Sequence, residues 1–193
     1  MPPKARYTKD EIGNAAYQLI RNEGTDALTA RSLAAALGTS TAPIFTAFSS
    51  IDEVTEWART KAKALYEQYL SEGFKHPLPF KGAGLAYIRF AKEEPKLFRF
   101  LFMEAEGAPV VSHYLPGNDE NETAVRSKLE AYGHDKSTAM RIYNHLSVYV
   151  HGLATLYACG AMIFTEEDVE EMLSEAYHAF KSKAESEKKE ISE

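Results

Sequence analysis

Apolar residues recur in this chain at intervals of three and four positions, and no stretch alternates apolar and polar residues as a half-buried β-strand would. The first apolar stripe follows the capping box Thr8-Lys-Asp-Glu11 and runs to Gly24. A second capping box, Ser50-Ile-Asp-Glu53, opens a long helix at about residues 52–72. We therefore predict an all-α fold of about nine helices.

Charge is distributed unevenly along the chain. Its 193 residues include 28 acidic side chains against 22 Lys and Arg, a net charge of −6, which excludes nucleic-acid binding by bulk electrostatics. Residues 1–50 carry five basic and four acidic side chains, which leaves 17 and 24 for residues 51–193. Any DNA contact must therefore be local. In the first quarter Lys4, Arg6 and Lys9 flank Tyr7 in a segment opened by Pro2-Pro3, which we interpret as a flexible basic arm.

Several function classes are disfavoured by what the sequence lacks. No apolar run approaches a membrane span of about 18–20 residues, and the start has no secretory signal, so we expect a soluble cytoplasmic protein. The histidines lack metal-binding spacing, and there is no nucleophile elbow, phosphate-binding glycine loop or paired carboxylate motif. We expect no metal, no cofactor and no enzymatic activity.

Two single residues have competing interpretations. Cys159 is the only cysteine, which excludes an intramolecular disulfide, and we interpret it as a small core residue, with a redox switch as the alternative. We interpret His151, which precedes Gly152, as a buried, hydrogen-bonded or interface histidine rather than a metal ligand.

The segment from Leu33 to Phe48 has the spacing of a helix-turn-helix. Gly38 can adopt the left-handed conformation of the turn, Ala34 lets the two helices approach closely, and Ile44 fills the angle between them. The spacing alone would also suit any helical hairpin with a glycine turn.

Residues 8–58 resemble the N-terminal domain of TetR-type (tetracycline-repressor-like) transcriptional regulators. The matching features are a capped first helix, the entry Leu28-Thr29-x-x-x-Leu33-Ala34, the Gly38 turn, the helix Ser40-x-x-x-Ile44-Phe45-x-x-Phe48 and the acidic start of the long helix. Two later segments are more loosely similar to one subgroup's C-terminal domains, although a Trp often found before His-Gly is absent: Tyr87 to Phe102 and Val150-His-Gly-Leu-Ala-Thr-Leu156.

The resemblance implies two domains and a ligand-responsive regulator. Residues 1–50 would be a helix-turn-helix DNA-binding domain with a basic arm, and residues 51–193 an effector-binding and dimerisation domain. A dimer would bind a palindromic operator, and a small, largely apolar effector would release it by shifting the helix at about 52–72. The expected DNA-facing residues are Lys4, Arg6, Thr29, Arg31, Thr39, Ser40, Thr41, Ala42, Pro43, Phe45 and Thr46.

Other roles remain open for some of these residues. Ser40 and Thr41 could cap the third helix, and Phe45 and Phe48 could pack in the small core. The resemblance also implies phosphate-contacting side chains where this chain has Phe45, Ala47 and Ile51, so we expect weaker operator binding or compensation by the arm. The alternative function is a TetR-shaped dimeric ligand- or protein-interaction module with weakened or lost operator binding.

Aromatic side chains crowd the segment between the long helix and the last two helices. Such a set could line a mostly apolar ligand site or simply fill the core. The expected effector-pocket residues are Tyr87, Phe90, Phe102, Met103, Tyr143 and Tyr149, with Asn144 and His145 as polar anchors.

The last two helices, in residues 136–159 and from Thr165 onward, have apolar seams that predict a four-helix bundle with a second copy. Gly152 and Ala154 would allow close approach, although the same seams could face the chain's own core. The expected dimer residues are Leu146, Val150, Leu153, Tyr157, Val169, Leu173, Ala176 and Phe180.

Overall fold

The computed structural model describes residues 7–103, 127, 130 and 133–192, and all regular structure within them is helical, which confirms the predicted all-α class. The sequence also predicts a helix at about residues 121–132, and most of it lies outside the described residues. The α-helices are α1 (Lys9–Glu23), α2 (Ala30–Ala36), α3 (Ala42–Ala47), α4 (Ile51–Gly73), α5 (Pro79–Glu93), α6 (Pro95–Phe102), α7 (Lys136–Ala158) and α8 (Glu166–Ser192). A 3₁₀ turn, Thr25–Ala27, joins α1 to α2. None of the described helices is long and apolar enough to cross a membrane.

The chain divides into two compact units. The first takes in residues 1–66 and 96–104, and the second takes in residues 67–95 and 105–193. The first unit is therefore larger than the segment 1–50 expected from the sequence. It includes most of α4 and nearly all of α6, because both helices make the contacts described next.

The first unit is built on the packing of α1 against α4. Both bonds of the Thr8–Glu11 capping box are present at the start of α1, as predicted, and Ile12, Ala16 and Ile20 on its inner face are almost fully buried. Gly13 lies beneath the Trp57 side chain so closely that a Cβ atom at Gly13 would overlap the indole ring. Gly13 thus sets how closely the two helices approach.

Helix α6 packs in the same unit through contacts with α4 and the end of α1. The Nη1 atom of Arg59 donates a hydrogen bond of 2.8 Å to the Phe100 carbonyl oxygen, and the guanidinium carbon lies 4.2 Å from the centre of the Phe100 ring. The Lys96 ammonium donates to the Asn22 carbonyl oxygen at the end of α1. These polar contacts join segments that are far apart in the chain.

The second unit is formed by α5, α7 and α8, with α7 packed against both of the others. A buried cluster of Ala139, Ile142, Leu146 and Ala184 lies between α7 and α8. Lys81 and Lys92 on α5 pair with Glu170 and Glu166 on α8, respectively. Where α4 ends and α5 begins, a Cβ atom on Gly73 would lie 2.5 Å from the Gly82 carbonyl oxygen, so the two backbones touch directly.

We expect Gly13→Ala to lower the free energy of unfolding by about 1–3 kcal/mol, because the added methyl group would overlap the Trp57 ring. This loss outweighs the gain of about 0.5–1 kcal/mol that Ala has over Gly inside a helix. Urea unfolding of the full chain measures the difference. Asn14→Ala, at the next and exposed position of α1, is the matched control and should change stability by no more than about 0.5 kcal/mol. An unchanged midpoint for Gly13→Ala would show that the indole does not pack there.

Candidate nucleic-acid interface and ligand site

Helices α2 and α3 form a tight helix-turn-helix. Gly38, just after α2, has a φ of 64°, a backbone conformation that residues with a side chain rarely adopt. The Thr39 N–H donates to the Ala34 carbonyl oxygen at 2.9 Å and the Gly38 N–H to the Ala35 carbonyl oxygen at 3.0 Å. These two bonds form a Schellman motif, which ends α2 and turns the chain toward α3. The left-handed conformation predicted for Gly38 is therefore present.

The start of α2 is held by its own polar side chains. Thr29 and Ser32 form a reciprocal capping box, and the Ser32 hydroxyl also donates to the Ala27 carbonyl oxygen at 2.6 Å. Thr29 is exposed but its hydroxyl belongs to this cap, whereas Arg31 is exposed in the first turn of α2. Thr29 therefore positions the helix end, and Arg31 is the charged group that this end presents to solvent.

Helix α3 has one buried side and one outward side. Ile44 is fully buried and Phe48, just after the helix, is 2% exposed. Phe45 is 49% exposed, so of the two aromatic residues for which core packing was the alternative, only Phe48 packs inside. Thr41 occupies the N-cap position of α3, but no side-chain hydrogen bond caps this helix. The capping alternative for Ser40 and Thr41 is thus not realised.

The remaining expected DNA-facing residues are placed as follows. Ser40, Ala42 and Thr46 are exposed, and Thr39, Thr41 and Pro43 are half-buried. Lys4 and Arg6 lie outside the described residues. The structure therefore brings the described members of the set together on α2, α3 and the turn between them.

Tyr7 and Lys9 belong to the segment that the sequence predicted as a flexible basic arm, but they were not among the expected DNA-facing residues. Lys9 is the first residue of α1, so at this residue the expectation of a flexible arm is wrong. The Tyr7 hydroxyl donates to the Leu37 carbonyl oxygen at the end of α2, which holds the beginning of α1 beside the turn. The Lys9 ammonium lies 2.5 Å from a Glu53 carboxylate oxygen and 4.7 Å from the centre of the Phe48 ring. The position of Lys9 next to the Thr8 cap predicts that it lies at the start of α1. The sequence does not reveal its ion pair, because Glu53 is 44 residues away.

Glu53 organises the start of α4 around its carboxylate. It accepts hydrogen bonds from Lys9 and from both the N–H and hydroxyl of Ser49, and these bonds, with Lys9 contributing most, lower the pKa of Glu53 to about 2. The Ser50 hydroxyl accepts the Glu53 N–H at 3.1 Å, as in the predicted capping box. The second bond of that box differs from the prediction. The Glu53 carboxylate accepts the N–H of Ser49 instead of the N–H of Ser50.

In the second unit, a buried polar pair joins α5 to α7. The Tyr87 hydroxyl lies 3.0 Å from His151 Nδ1, and Tyr87 is 7% exposed. Burial lowers the pKa of His151, so its imidazole is neutral at pH 7. Of the alternatives given for His151, a buried, hydrogen-bonded or interface histidine, the hydrogen bond is present, and the residue is half-buried.

A second polar group lies on the same side of α7. Asn144 precedes His151 by seven residues, or two helical turns, and so shares its helix face. The Asn144 Oδ1 atom is buried and accepts no hydrogen bond from any residue that the structure describes. A buried amide oxygen without a donor is a natural contact point for a ligand.

Other expected pocket residues are placed differently. His145 is exposed, and its ring stacks on Phe180 with centroids 5.1 Å apart, so it does not point to the polar pair on α5 and α7. Phe90 is fully buried and contacts the Tyr69 ring, and Tyr143 packs against the cluster between α7 and α8. Tyr149 is half-buried. Phe102 and Met103 belong to the first unit, where the Phe102 ring contacts Tyr66 and Phe98.

Half of the expected dimer residues are buried within their own chain. Leu146, Leu153, Val169 and Leu173 are buried, and the half-buried members are Val150, Tyr157, Ala176 and Phe180. The four buried residues are covered because these seams pack α7 against α5 and α8. Seam periodicity alone could not distinguish this internal packing from contact with a second copy.

A different apolar stripe on α7 is exposed to solvent. Val148 is 62% exposed and Leu156 36% exposed, and Gly152 between them has open space around its Cα. These residues are four positions apart and therefore share one helix face. Just beyond α7, Ile163 is 85% and Phe164 40% exposed.

Cys159 is also exposed, which contradicts its interpretation as a core residue.

No group of three or more His, Cys, Asp or Glu residues in the described part of the chain is arranged to hold a metal ion.

Comparisons with known proteins agree with this architecture. The family model described as "Tetracyclin repressor-like, C-terminal domain" matches residues 80–180. The structure is also similar to the crystal structure of a TetR-like transcriptional regulator from Rhodococcus sp. RHA1, with a TM-score of 0.62 and 16% identity over 95% of this chain and 96% of that chain. At this identity the likeness concerns the fold. No curated protein sequence matches the chain significantly.

Proposed function

The chain belongs to the TetR family of transcriptional regulators, and we propose that it acts in the cytoplasm as a homodimer that binds a palindromic DNA operator and is released by a small, largely apolar effector. The observation that carries this proposal is the helix-turn-helix, with its Schellman turn at Gly38 and the outward face of α3. A regulator without catalytic machinery is consistent with the family.

DNA recognition would use the two helices in different ways. In a helix-turn-helix the second helix enters the major groove while the first crosses the backbone. Helix α3 would therefore contact base edges, and Arg31 at the start of α2 would contact a phosphate. Lys4 and Arg6 would add phosphate or minor-groove contacts from the arm. These cations supply the affinity that an acidic chain cannot supply in bulk.

We expect selection of random duplex DNA by the full-length protein to yield a palindromic site. With that site, Arg31→Ala should weaken binding and reduce the slope of log Kd against log salt concentration by about one, because one phosphate contact is lost. Fluorescence anisotropy at several salt concentrations measures both effects. Lys63→Ala removes an exposed cation of α4 outside the proposed interface and should leave the salt slope unchanged.

Two results would count against operator binding. If Arg31→Ala retains the wild-type salt slope, Arg31 does not contact the backbone. If no sequence is enriched over random DNA, the alternative is favoured, namely a dimeric ligand- or protein-interaction module. The observation that supports this alternative is that α3, residues 42–47, has no charged side chain with which to bind DNA.

The effector would bind in the second unit near Tyr87, Asn144 and His151. His151, whose pKa is lowered by burial, is neutral at pH 7 beside the Tyr87 hydroxyl, and the unpartnered Asn144 oxygen requires a hydrogen-bond donor. A largely apolar molecule with one donor group suits this environment, because a charged ligand would be desolvated without an opposite charge. His151 thus replaces His145 as the proposed second anchor.

Effector binding would change the affinity for the operator through α4. Residues 51–66 of this helix belong to the first unit, the proposed DNA-binding unit, and residues 67–73 belong to the second, the proposed ligand-binding unit. A ligand changes operator affinity only by the ratio of its affinities for the DNA-competent and released conformations. The coupling is therefore measurable as a change in operator Kd.

We expect a neutral aromatic compound that raises the melting temperature also to weaken operator binding. A thermal-shift screen of small phenols and aromatic amides identifies binders, and anisotropy titrations with the selected operator measure the effect on Kd. Asn144→Leu, which removes the amide oxygen, should reduce the thermal shift, and Asn14→Leu on exposed α1 is the matched control. Binders that raise the melting temperature without altering operator Kd would contradict the coupling.

Dimerisation would use the exposed stripe of Val148, Gly152 and Leu156. A two-fold axis brings identical surfaces together, and a glycine in the middle of the stripe lets α7 approach its own copy closely. Two copies of α7 and α8 would then form a four-helix bundle, as expected from the sequence but through a different face. The two recognition helices must be about one DNA turn, roughly 34–36 Å, apart.

We expect the wild-type chain to be a dimer at micromolar concentration and Val148→Glu to be a monomer. The substitution would place two like charges against each other across the symmetry axis in an apolar contact. Light scattering coupled to size exclusion measures the mass. The matched control is Leu78→Glu, at an exposed apolar residue just before α5 and outside the stripe, which should remain dimeric. A wild-type monomer, or a dimeric Val148→Glu variant, would contradict the proposed interface.

A further inference from the structure

We infer that α3 recognises its operator through the 5-methyl groups of thymine bases, with the Phe45 ring as the specificity-determining contact. This inference rests on the proposed operator binding and adds the chemical class of the bases that are read. It follows from the atoms that the outward face of α3 presents.

The outward face of α3 is formed by Ala42, Phe45 and Thr46. All three are exposed and share one side of the helix, whereas Ile44 is fully buried on the opposite side. Phe45 is the largest of them, and about half of its surface, 49%, is exposed. The packing of Ile44 and Phe48 fixes this orientation, so the Phe45 ring is held toward solvent by the fold.

This face lacks the side chains that recognise most base edges. Guanine is usually read by Arg or Lys, adenine by Asn or Gln, and cytosine by Asp or Glu, and residues 42–47 contain none of these. Thr46 carries the one hydroxyl in the helix, and its proton is donated to the Ala42 carbonyl oxygen at 2.9 Å. Its proton is thus committed within the helix, although its oxygen can still accept.

The remaining groups are the Ala42 methyl, the Phe45 ring and the Thr46 methyl. In the major groove only thymine among the four bases presents an apolar group, its 5-methyl, and apolar side chains are its usual partners. Burying the half-exposed Phe45 ring against thymine methyl groups removes apolar surface from water on both sides of the contact. A base without this methyl leaves the ring facing a polar edge.

The small residue beside Phe45 on the outward face supports the same occupant. Ala42 is exposed at the start of α3 and lets this end of the helix backbone approach the groove floor closely. Arg31 on α2 is exposed beside the same helix-turn-helix and supplies a cation for the phosphates that flank a groove. A purely apolar protein partner would offer no negative charge to pair with the Arg31 guanidinium.

Deoxyuridine substitution tests the inference, because it removes the 5-methyl group and leaves the hydrogen-bonding edge of thymine intact. Each thymine of the selected operator is replaced in turn, symmetrically in both half-sites, and Kd is measured by anisotropy at one salt concentration. For the wild-type chain we expect at least one position at which Kd rises about tenfold or more, because two methyl groups are removed and each contributes a factor of up to about four.

Variants at Phe45 assign the effect to this residue. Phe45→Ala should weaken binding to the thymine operator and bring the ratio of uracil to thymine Kd at that position close to one. Phe45→Leu keeps an apolar contact and should retain part of the ratio. Leu78→Ala, at another exposed apolar residue, should leave both the affinity and the ratio unchanged.

Three results would overturn the inference while leaving operator binding established. They are a selected half-site without thymine, an unchanged wild-type Kd for every deoxyuridine substitution, and a Phe45→Ala variant with the wild-type ratio. If Phe45→Ala changes the mass of the protein in solution and not the base preference, the ring contacts protein instead. Failure to select any site would instead refute the proposed function itself.

Discussion

The contact between Gly13 and Trp57 is the constraint on which the first unit depends. Because α1 offers no side chain at that position, the indole of α4 lies directly on the α1 backbone, and the two helices form a fixed base for α2 and α3. Polar contacts add to this base without replacing it. Lys9 joins the start of α1 to Glu53, and Arg59 brings α6 onto α4. The helix-turn-helix therefore stands on a framework that extends well beyond the first 50 residues.

Charge and base recognition are divided between different parts of the proposed interface. Helix α3 carries no charged side chain, and Lys9 is already paired with Glu53. Under the proposed function, affinity for phosphates would come from Arg31 and the basic arm, while α3 would contribute shape and apolar contacts. Such a surface would bind DNA with a shallow salt dependence for a regulator of this family, and a larger share of its specificity would come from a few methyl groups.

Local features of the fold were predictable, and long-range ones were not. Capping at Thr8 and the left-handed Gly38 both follow from short sequence patterns whose physical causes lie within a few residues. The hydrogen bond of His151, by contrast, is made to Tyr87, 64 residues away. The sequence did not reveal that α7 has two apolar sides, since periodicity identifies a stripe but not what covers it. Val148 and Leu146 lie two positions apart on α7, yet one is exposed and the other buried. The outward Phe45 and the Arg59–Phe100 contact depend on tertiary packing in the same way.

The contact between Gly73 and Gly82 has a mechanical consequence. The backbones of α4 and α5 touch there with no side chain between them, so the turn has no compressible layer in which one helix could slide over the other. Rotation of the final turn of α4 must carry the first turn of α5 with it. Under the proposed effector response, a bend in α4 would therefore lie farther along the helix, toward Tyr66, where the chain passes from one compact unit to the other.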